Sequence, residues 1–291
     1  MIWEWGFRGT PFGMRSNSTV RLLVLGLIAA CGGGGDGAAV DAVEPDARTV
    51  DAGAVDARAV DAADTCDPTA APQPNVGLVE AAGEGGCPDG MVVVADFCVD
   101  KYEASLQSLA GAPWSPFVEP GDETLRAVSL AGAIPQAFIS GAQAATACAN
   151  ASKRLCTDAE WLRACQGEAA RTYPYGETRD ATACSETRDV PPPVEMFGPV
   201  PATWDLGNAC LDQLDDTLST TGAWAGCVTP EGVLDLVGNV QEWTSDAAGT
   251  YRGGSFVDAS INGPGCLNLT TAHDVDYADY TTGFRCCADL P

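Results

Sequence analysis

The chain has 291 residues, with 40 acidic against 15 basic side chains and a net charge of −25 at pH 7. Binding to a phosphate backbone needs clustered Lys and Arg, so we expect no nucleic-acid partner. The 13 cysteines are many for a chain kept in a reducing compartment, and they indicate an oxidising one. The length allows one large domain plus a tail.

Residues 1–31 have the pattern of a signal peptide. Basic residues precede an apolar run, Leu22 to Ala30, that is too short to span a bilayer. Small residues then lead to Cys31, which resembles a bacterial lipobox, where the cysteine is acylated and becomes the mature N-terminus. The alternatives are an ordinary cleaved signal with an incidental cysteine, and a true start at Met14. The lipobox predicts lipidation at Cys31 and a protein anchored to a membrane of the bacterial cell envelope, on its periplasmic or outer side.

Residues 32–86 are predicted to form a disordered acidic linker. After four glycines, Val-Asp-Ala repeats begin at Val40, Val50, Val55 and Val60. The segment is rich in acids and poor in large apolar residues, so it cannot bury enough surface to offset its ordering entropy. Repulsion between like charges extends it. We therefore expect a tether that holds residues 87–291, the predicted globular domain, away from the membrane.

The domain opens with β-branched runs, Met91 to Val94 and Phe97 to Val99, which predict a hairpin. Small residues from 140 to 150 are compatible with a helix. Thr157, with Glu160 three residues on, predicts a capping box that starts a second helix. Residues 191–225 are interpreted as an insertion.

The stretch from Gly232 to Trp243 combines an apolar run, a Gly-Asn corner and unevenly spaced oxygen donors. Calcium accepts six to eight oxygens in flexible geometry, so two carboxylates and free carbonyls on a bent loop suit it. The simpler interpretation is a turn beside a core tryptophan.

Three further segments accompany this stretch. They are Lys153-Arg154-Leu155 with Trp161, then Arg252-Gly253-Gly254-Ser255, and the closing Gly283-Phe284-Arg285-Cys286. In this order the segments resemble the formylglycine-generating enzyme family, also called sulfatase-modifying factor domains, over roughly residues 90–288. The resemblance implies an α+β, irregular C-type-lectin-like fold with little regular secondary structure and many disulfides.

The resemblance also implies metal ligands. The family's second calcium site corresponds here to Asp235, Gly238, Val240 and Glu242, all chemically able to bind the ion. An asparagine of the family's first calcium site is missing from the matching region, residues 183–186, so we expect no ion there.

By the same resemblance, Cys148 pairs with Cys286 and Cys165 pairs with Cys266 in disulfides. Two further pairs are candidates, Cys156–Cys287 and Cys87–Cys98. Four cysteines have no assigned partner: Cys66, Cys184, Cys210 and Cys227.

The family's copper(I) chemistry needs two cysteines after the Gly-Gly-Ser motif, since soft thiolates select that ion. Asp258 and Gly263 stand at these positions, and Gln241 replaces a tryptophan that lines the family's substrate site. We therefore expect no copper. Ser255, Asp258 and Cys266 remain as candidate catalytic residues.

These observations leave three hypotheses. The first, which we favour, is a surface-anchored module that binds an extracellular or periplasmic ligand or protein and lacks the copper pair. The second is a sulfatase-modifying-type oxidase that acts on protein thiols through a non-standard site, an oxygen-dependent oxidoreductase that requires a free Cys266. The third is a structural envelope protein.

Overall fold

The computed structural model describes residues 66–291. The predicted signal peptide, the predicted lipidation site Cys31 and the predicted linker up to residue 65 lie outside the described residues. Within residues 66–291, no helix combines the length and apolar character needed to cross a membrane.

Short elements separated by long loops make up this part of the chain. The strands are β1 Met91–Val94, β2 Phe97–Asp100, β3 Ala104–Ser108, β4 Leu125–Ser129, β5 Arg154–Leu155, β6 Gln241–Trp243, β7 Tyr251–Arg252, β8 Leu269–Thr270, β9 Thr282–Phe284 and β10 Cys286–Asp289. The helices are α1 Gly141–Asn150, α2 Asp158–Gln166 and α3 Pro192–Phe197.

The first sheet brings the two ends of the domain together. Its order is β1-β2-β10-β5, and every pair is antiparallel. The β1–β2 pair is the hairpin that the β-branched runs predicted. Strand β10 lies between β2 and β5, with Cys287 opposite Val99 and Cys286 opposite Leu155. The end of the chain is thereby held inside the sheet. Strands β3 and β4 form a separate hairpin.

The second sheet joins three of the sequence motifs. Its order is β8-β7-β6-β9, with β6 parallel to β9 and antiparallel to β7. Glu242 of β6 therefore lies between Arg252 of β7 and Gly283 of β9. The start of β6, the loop after β7 and the segment before β9 come together around one pocket.

Both longer helices start at capping boxes. Ser140 and Gln143 cap α1 reciprocally. The predicted box at α2 is confirmed, since the Thr157 hydroxyl accepts from the Glu160 amide and the Glu160 carboxylate accepts from the Thr157 amide. The apolar side of α2 buries Trp161 completely, and this fixes the helix against the loop before β6.

Six disulfides pair all twelve cysteines of residues 66–291. The pairs are Cys66–Cys210, Cys87–Cys98, Cys148–Cys286, Cys156–Cys287, Cys165–Cys266 and Cys184–Cys227. The two pairs that the resemblance implied and the two further candidate pairs are all among them. The four cysteines that had no assigned partner form the remaining two.

The folded part of the chain begins before the predicted linker end at residue 86. Asn75 is 4% exposed, and its side chain bonds to both the amide and the carbonyl of Ile134 at 2.8 Å. Glu80 forms an ion pair with Lys153 at 3.2 Å. Residues 66–86 contain no helix or strand. Leu78 packs against Val128, Leu130 and Ala133, but a single apolar contact leaves no periodic pattern in the sequence.

Candidate functional site

The Gly-Asn corner before β6 has a left-handed backbone. The φ angle is 82° at Gly238 and 54° at Asn239. A Cβ on Gly238 would lie 1.9 Å from the carbonyl oxygen of Ser185, so only glycine fits. The Gly238 amide donates to the Gly253 carbonyl at 3.0 Å. These contacts fix the corner between two neighbouring loops and set the direction of β6.

Behind the corner, Glu242 and Arg285 form a fully buried ion pair. Glu242 Oε1 accepts from Arg285 Nη2, and Oε2 accepts from Arg285 Nε and Trp161 Nε1, each at 2.6 Å. Arg285 also donates to the carbonyls of Asp100 at 3.0 Å and Leu234 at 2.9 Å. Every nitrogen of this guanidinium therefore has an acceptor, which is the condition under which a buried charge is tolerated.

Two more buried carboxylates lie close to this pair. Glu103 accepts from Asn239 Nδ2 at 2.6 Å and from the Val240 amide at 3.1 Å. Asp235 accepts from the Gly222 amide at 2.6 Å and is 4% exposed. We call the four charged side chains the Arg285 network: Glu103, Asp235, Glu242 and Arg285.

The Arg285 network has three carboxylates and one guanidinium. Burial, helped by the neighbouring charges of Asp235 and Glu242, raises the pKa of Glu103 well above its ordinary value. Burial also raises the pKa of Asp235 to about 6. Fully ionised, the network has two uncompensated negative charges, so either protons or a cation must offset them.

The predicted calcium ligands lie at the edge of this network. A divalent cation would match its charge, and Asp235, Gly238 and Val240 can supply oxygens from one bent loop. The Glu242 carboxylate, however, already accepts three hydrogen bonds, so an ion would share it with Arg285. Among residues 66–291, no group of three or more His, Cys, Asp or Glu side chains is arranged to hold a metal. The four predicted residues therefore fit a calcium ion only in part, and calcium binding at this site stays a prediction.

An open pocket of about 250 Å³, which we call the cleft, lies beside the first residue of β6, Gln241. It is bounded by the insertion, by the start of β6, by the loop after β7 and by the segment before β9. Its lining is Trp204, Leu206, Gln241, Ser255, Val257, Asp258, Ile261, Asn262, Asn268, Asp279, Tyr280 and Thr281.

The structure brings the candidate catalytic residues Ser255 and Asp258 to this cleft. Asp258 Oδ1 accepts from the amides of Ser260 at 2.6 Å and Ile261 at 2.7 Å, so the carboxylate caps its own turn. Ser255 Oγ accepts from the Val257 amide at 3.3 Å. No His or Lys lines the cleft, so Ser255 has no adjacent base of the kind that activates a serine.

Cys266 and Gly263 belong to the same loop. Cys266 is fully buried and bonded to Cys165, with the two sulfurs 2.06 Å apart. Gly263 has φ of 127°, and a Cβ there would lie 2.5 Å from the Leu267 carbonyl oxygen. A cysteine at position 263 would therefore strain this loop.

Two residues that the sequence did not single out also line the cleft, Tyr280 and Asn268. Tyr280 is 7% exposed, and burial raises the pKa of its hydroxyl above the ordinary value. Asn268 is 3% exposed, and its buried Oδ1 has no hydrogen-bond partner among the described residues. By contrast, Gln241 Nε2 donates to Thr281 Oγ1 at 2.9 Å. No motif or periodic pattern includes Tyr280 or Asn268.

Asp212 is a third residue that the sequence left unexplained. It lies in the insertion and is 3% exposed, yet neither carboxylate oxygen has a partner within residues 66–291. Burial, with the charge of Asp279 adding to it, raises its pKa well above the ordinary value. Because Asp279 lines the cleft, this buried acid lies close to the cleft's inner wall.

Comparison with known proteins agrees with the four motifs. The family model described as "Sulfatase-modifying factor enzyme 1-like domain" matches residues 69–290. This confirms the predicted resemblance and its α+β, C-type-lectin-like fold. None of the curated proteins matches the chain.

Several solved structures are similar in fold. Treponema denticola variable protein 1 is 15% identical, with 74% of this chain and 93% of that chain covered and a TM-score of 0.45. PvdO from Pseudomonas aeruginosa is 15% identical, with 70% and 85% covered and a TM-score of 0.43. The Major Tropism Determinant I1 variant is 16% identical with a TM-score of 0.42. That match covers 74% of this chain but only 55% of the determinant.

Proposed function

Because the chain belongs to the sulfatase-modifying factor enzyme 1-like family, we propose that it uses the family scaffold as a binding or interaction module, without the family's copper chemistry. The observation that carries this proposal is the composition of the cleft. Its lining has oxygen and amide groups and no cysteine. Copper(I) needs soft thiolates, which Asp258 and Gly263 do not supply.

A count of free thiols tests this proposal against the oxidase alternative, which needs a free Cys266. The purified full chain is unfolded in denaturant, alkylated without reductant and analysed by mass spectrometry, so that a buried thiol is also accessible. We expect all twelve cysteines from Cys66 to Cys287 to be protected, and we expect no copper(I) binding and no oxidation of a cysteine peptide. Alkylation of Cys266 in the wild type, or copper-dependent peptide oxidation, would support the oxidase. The variant Cys165→Ala frees Cys266 and is the matched control for the alkylation.

A structural envelope role is separated from binding by capture experiments. Immobilised full chain is incubated with solubilised envelope extract and washed, beside a disulfide-reduced, denatured control. Retention of a component by the native chain alone supports a binding module. Equal retention by both forms, or none by either, favours a structural protein.

We also propose that Cys31 attaches the chain to a bacterial cell-envelope membrane. The small residues before Cys31 and the acidic residues after it support an anchor followed by an extended tether. Metabolic labelling with a fatty acid should mark the wild type and leave Cys31→Ser unlabelled. A mature N-terminus that is cleaved but carries no acyl group would favour an ordinary signal peptide.

Calcium at the Gly-Asn corner is part of the proposal. The two uncompensated charges of the Arg285 network support it, since a divalent ion would offset them. At pH 7, calcium should raise the melting temperature and a chelator should lower it, because a ligand that binds only the folded state stabilises it. Asp235→Asn should reduce this shift. A melting temperature that is the same in calcium and in chelator would contradict the calcium site.

A further inference from the structure

The Cys66–Cys210 disulfide is the least buried of the six. Of the twelve paired cysteines of residues 66–291, Cys66 alone is half-buried, and each of the others is at most 8% exposed. Thiol–disulfide exchange requires an attacking thiolate to reach a sulfur of the bond, so burial protects a disulfide from reduction. The Cys66 side of this bond is therefore the place where a reductant is least hindered by the fold.

The chain that follows Cys66 has few other attachments. Residues 67–74 contain no helix or strand, and most of them are exposed. Their hydrogen bonds within residues 66–291 are local, since Thr69 and Ala70 donate to Asp67. The first side chain to bond to the rest of the domain is Asn75. Before Asn75, the disulfide is thus the one covalent or hydrogen-bonded link between this segment and the domain, among the described residues.

The partner cysteine lies in a stretch of the insertion that is also weakly attached. Every hydrogen bond of residues 198–214 within the described chain is made to another residue of the insertion. The ion pair between Arg188 and Glu195, which ties the insertion to the preceding loop, lies before this stretch. Apart from the disulfide, the stretch is held by apolar packing, with Ala209 and Leu211 in the core.

The same stretch contains a group that destabilises the closed arrangement. Asp212 lies two residues after Cys210 and is 3% exposed, and neither of its carboxylate oxygens has a hydrogen-bond partner among the described residues. A buried polar group without a partner costs stability, and that cost disappears when the group reaches water. The disulfide therefore holds closed a segment whose buried acid favours opening.

We propose that Cys66–Cys210 is a reducible clasp on the insertion, opened by a protein dithiol of the CXXC class. One thiolate of the dithiol attacks a sulfur of the bond and forms a mixed disulfide, and the second thiolate then displaces it. The dithiol is oxidised to its own disulfide, while Cys66 and Cys210 take up two electrons and two protons and become free thiols. The other five disulfides stay intact, and residues 198–214 open locally.

Opening the clasp has two consequences. Residues 66–74 are released from the insertion and, when extended, add about 30 Å to the chain that precedes the domain. Trp204 and Leu206, which line the cleft, belong to the stretch that opens, so the cleft loses one of its walls. The inference goes beyond the proposed binding function and does not depend on it.

Graded reduction of the full chain tests the clasp. The folded protein is incubated with dithiothreitol, a small neutral dithiol, and samples are alkylated at intervals and mapped by mass spectrometry. We expect Cys66 and Cys210 to be alkylated in equal amounts and at least tenfold faster than any other cysteine. The matched control within the same chain is Cys87–Cys98, because Cys87 is 8% exposed and this pair should stay protected over the same interval.

Hydrogen exchange measures whether the insertion opens. After reduction of the clasp, amide exchange in residues 198–214 should be at least tenfold faster, while exchange in α1 and β2 should be unchanged. The variant with Cys66→Ser and Cys210→Ser should show the same fast exchange without reductant and no further change when dithiothreitol is added. Reduction of another pair as fast as Cys66–Cys210 would overturn the inference, and so would unchanged exchange of residues 198–214 in the reduced wild type.

Discussion

The Arg285 network and the cleft share strand β6, where Glu242 belongs to the network and its neighbour Gln241 lines the cleft, but the two regions differ in how their buried polar groups are bonded. In the network, Arg285 and Glu242 have hydrogen-bond partners for all their charged atoms. At and behind the cleft, Asn268 Oδ1 and both oxygens of Asp212 have none among the described residues.

This difference separates the residues that stabilise the fold from the residues that are available to bind a ligand. A satisfied buried network makes one arrangement rigid and unique, whereas unsatisfied groups cost stability unless something else binds them. The residues that make the fold are therefore distinct from those that could hold a ligand, even though Gln241 and Glu242 are adjacent. Four changes, from the largest expected effect to the smallest, would break or sharpen this contrast.

The first change removes the disulfide that joins residue 66 to the insertion. Replacing Cys66 and Cys210, which are 144 residues apart, with alanines should lower the free energy of unfolding by about 5 kcal/mol in the chain-entropy estimate. Replacing Cys87 and Cys98, only 11 residues apart, should cost about 3 kcal/mol. Urea unfolding without reductant measures both. Equal losses would show that loop length is not what decides the contribution.

The second change breaks the buried ion pair. Arg285→Met leaves the Glu242 carboxylate buried without its cation and should cost about 3–5 kcal/mol. Adding Glu242→Gln removes the stranded charge and should recover part of that loss. Chemical denaturation of the single and double variants measures this. A double variant that is no more stable than Arg285→Met would mean that packing, and not charge, is decisive.

The third change concerns Asp212, whose pKa is raised above its ordinary 3.8 by burial. A carboxyl with a raised folded-state pKa contributes stability at low pH and loses it as the pH rises through the folded-state value. Asp212→Asn should therefore be more stable than the wild type at neutral pH, by about 1–3 kcal/mol, and the gap should close towards pH 4.

Melting temperatures of both proteins across this pH range give the measurement. Taking the difference between them cancels the titration of Asp235 and Glu103, which are present in both proteins. A gap that widens as the pH falls would contradict the buried, unpartnered state of Asp212.

The fourth change is at the surface. Arg154 pairs with Glu160 and Asp289, but its side chain is 40% exposed. Exposed ion pairs contribute little, so Arg154→Ala should cost about 0.2–1 kcal/mol, and added salt should reduce the difference. A loss as large as that of Arg285→Met would show that exposure is a poor guide to the strength of an ion pair in this domain.

The sequence predicted the scaffold better than the cleft. The capping box at Thr157 and the hairpin at β1 and β2 follow from local patterns. Glu103, Asn75 and Asp212 could not be predicted in this way, because their partners, or the absence of partners, depend on residues far away in the chain. Asn75 bonds to Ile134, and Glu103 bonds to Asn239.

The family resemblance identified positions, but not their surroundings. It pointed to Glu242 as a calcium ligand, while Arg285, from the closing motif, already occupies that carboxylate. Such a contact depends on the parallel pairing of β6 with β9, which no segment of sequence shows alone.

The Cys66–Cys210 disulfide has a mechanical consequence. Any tension on the residues before Cys66 enters the domain through this bond and passes directly into the insertion at Cys210, next to Leu211 and Asp212. The 143 residues between the two cysteines form a closed covalent loop that this pull cannot straighten. A molecule held by its N-terminal side would thus be loaded at the insertion, the segment that also supplies Trp204 and Leu206 to the cleft.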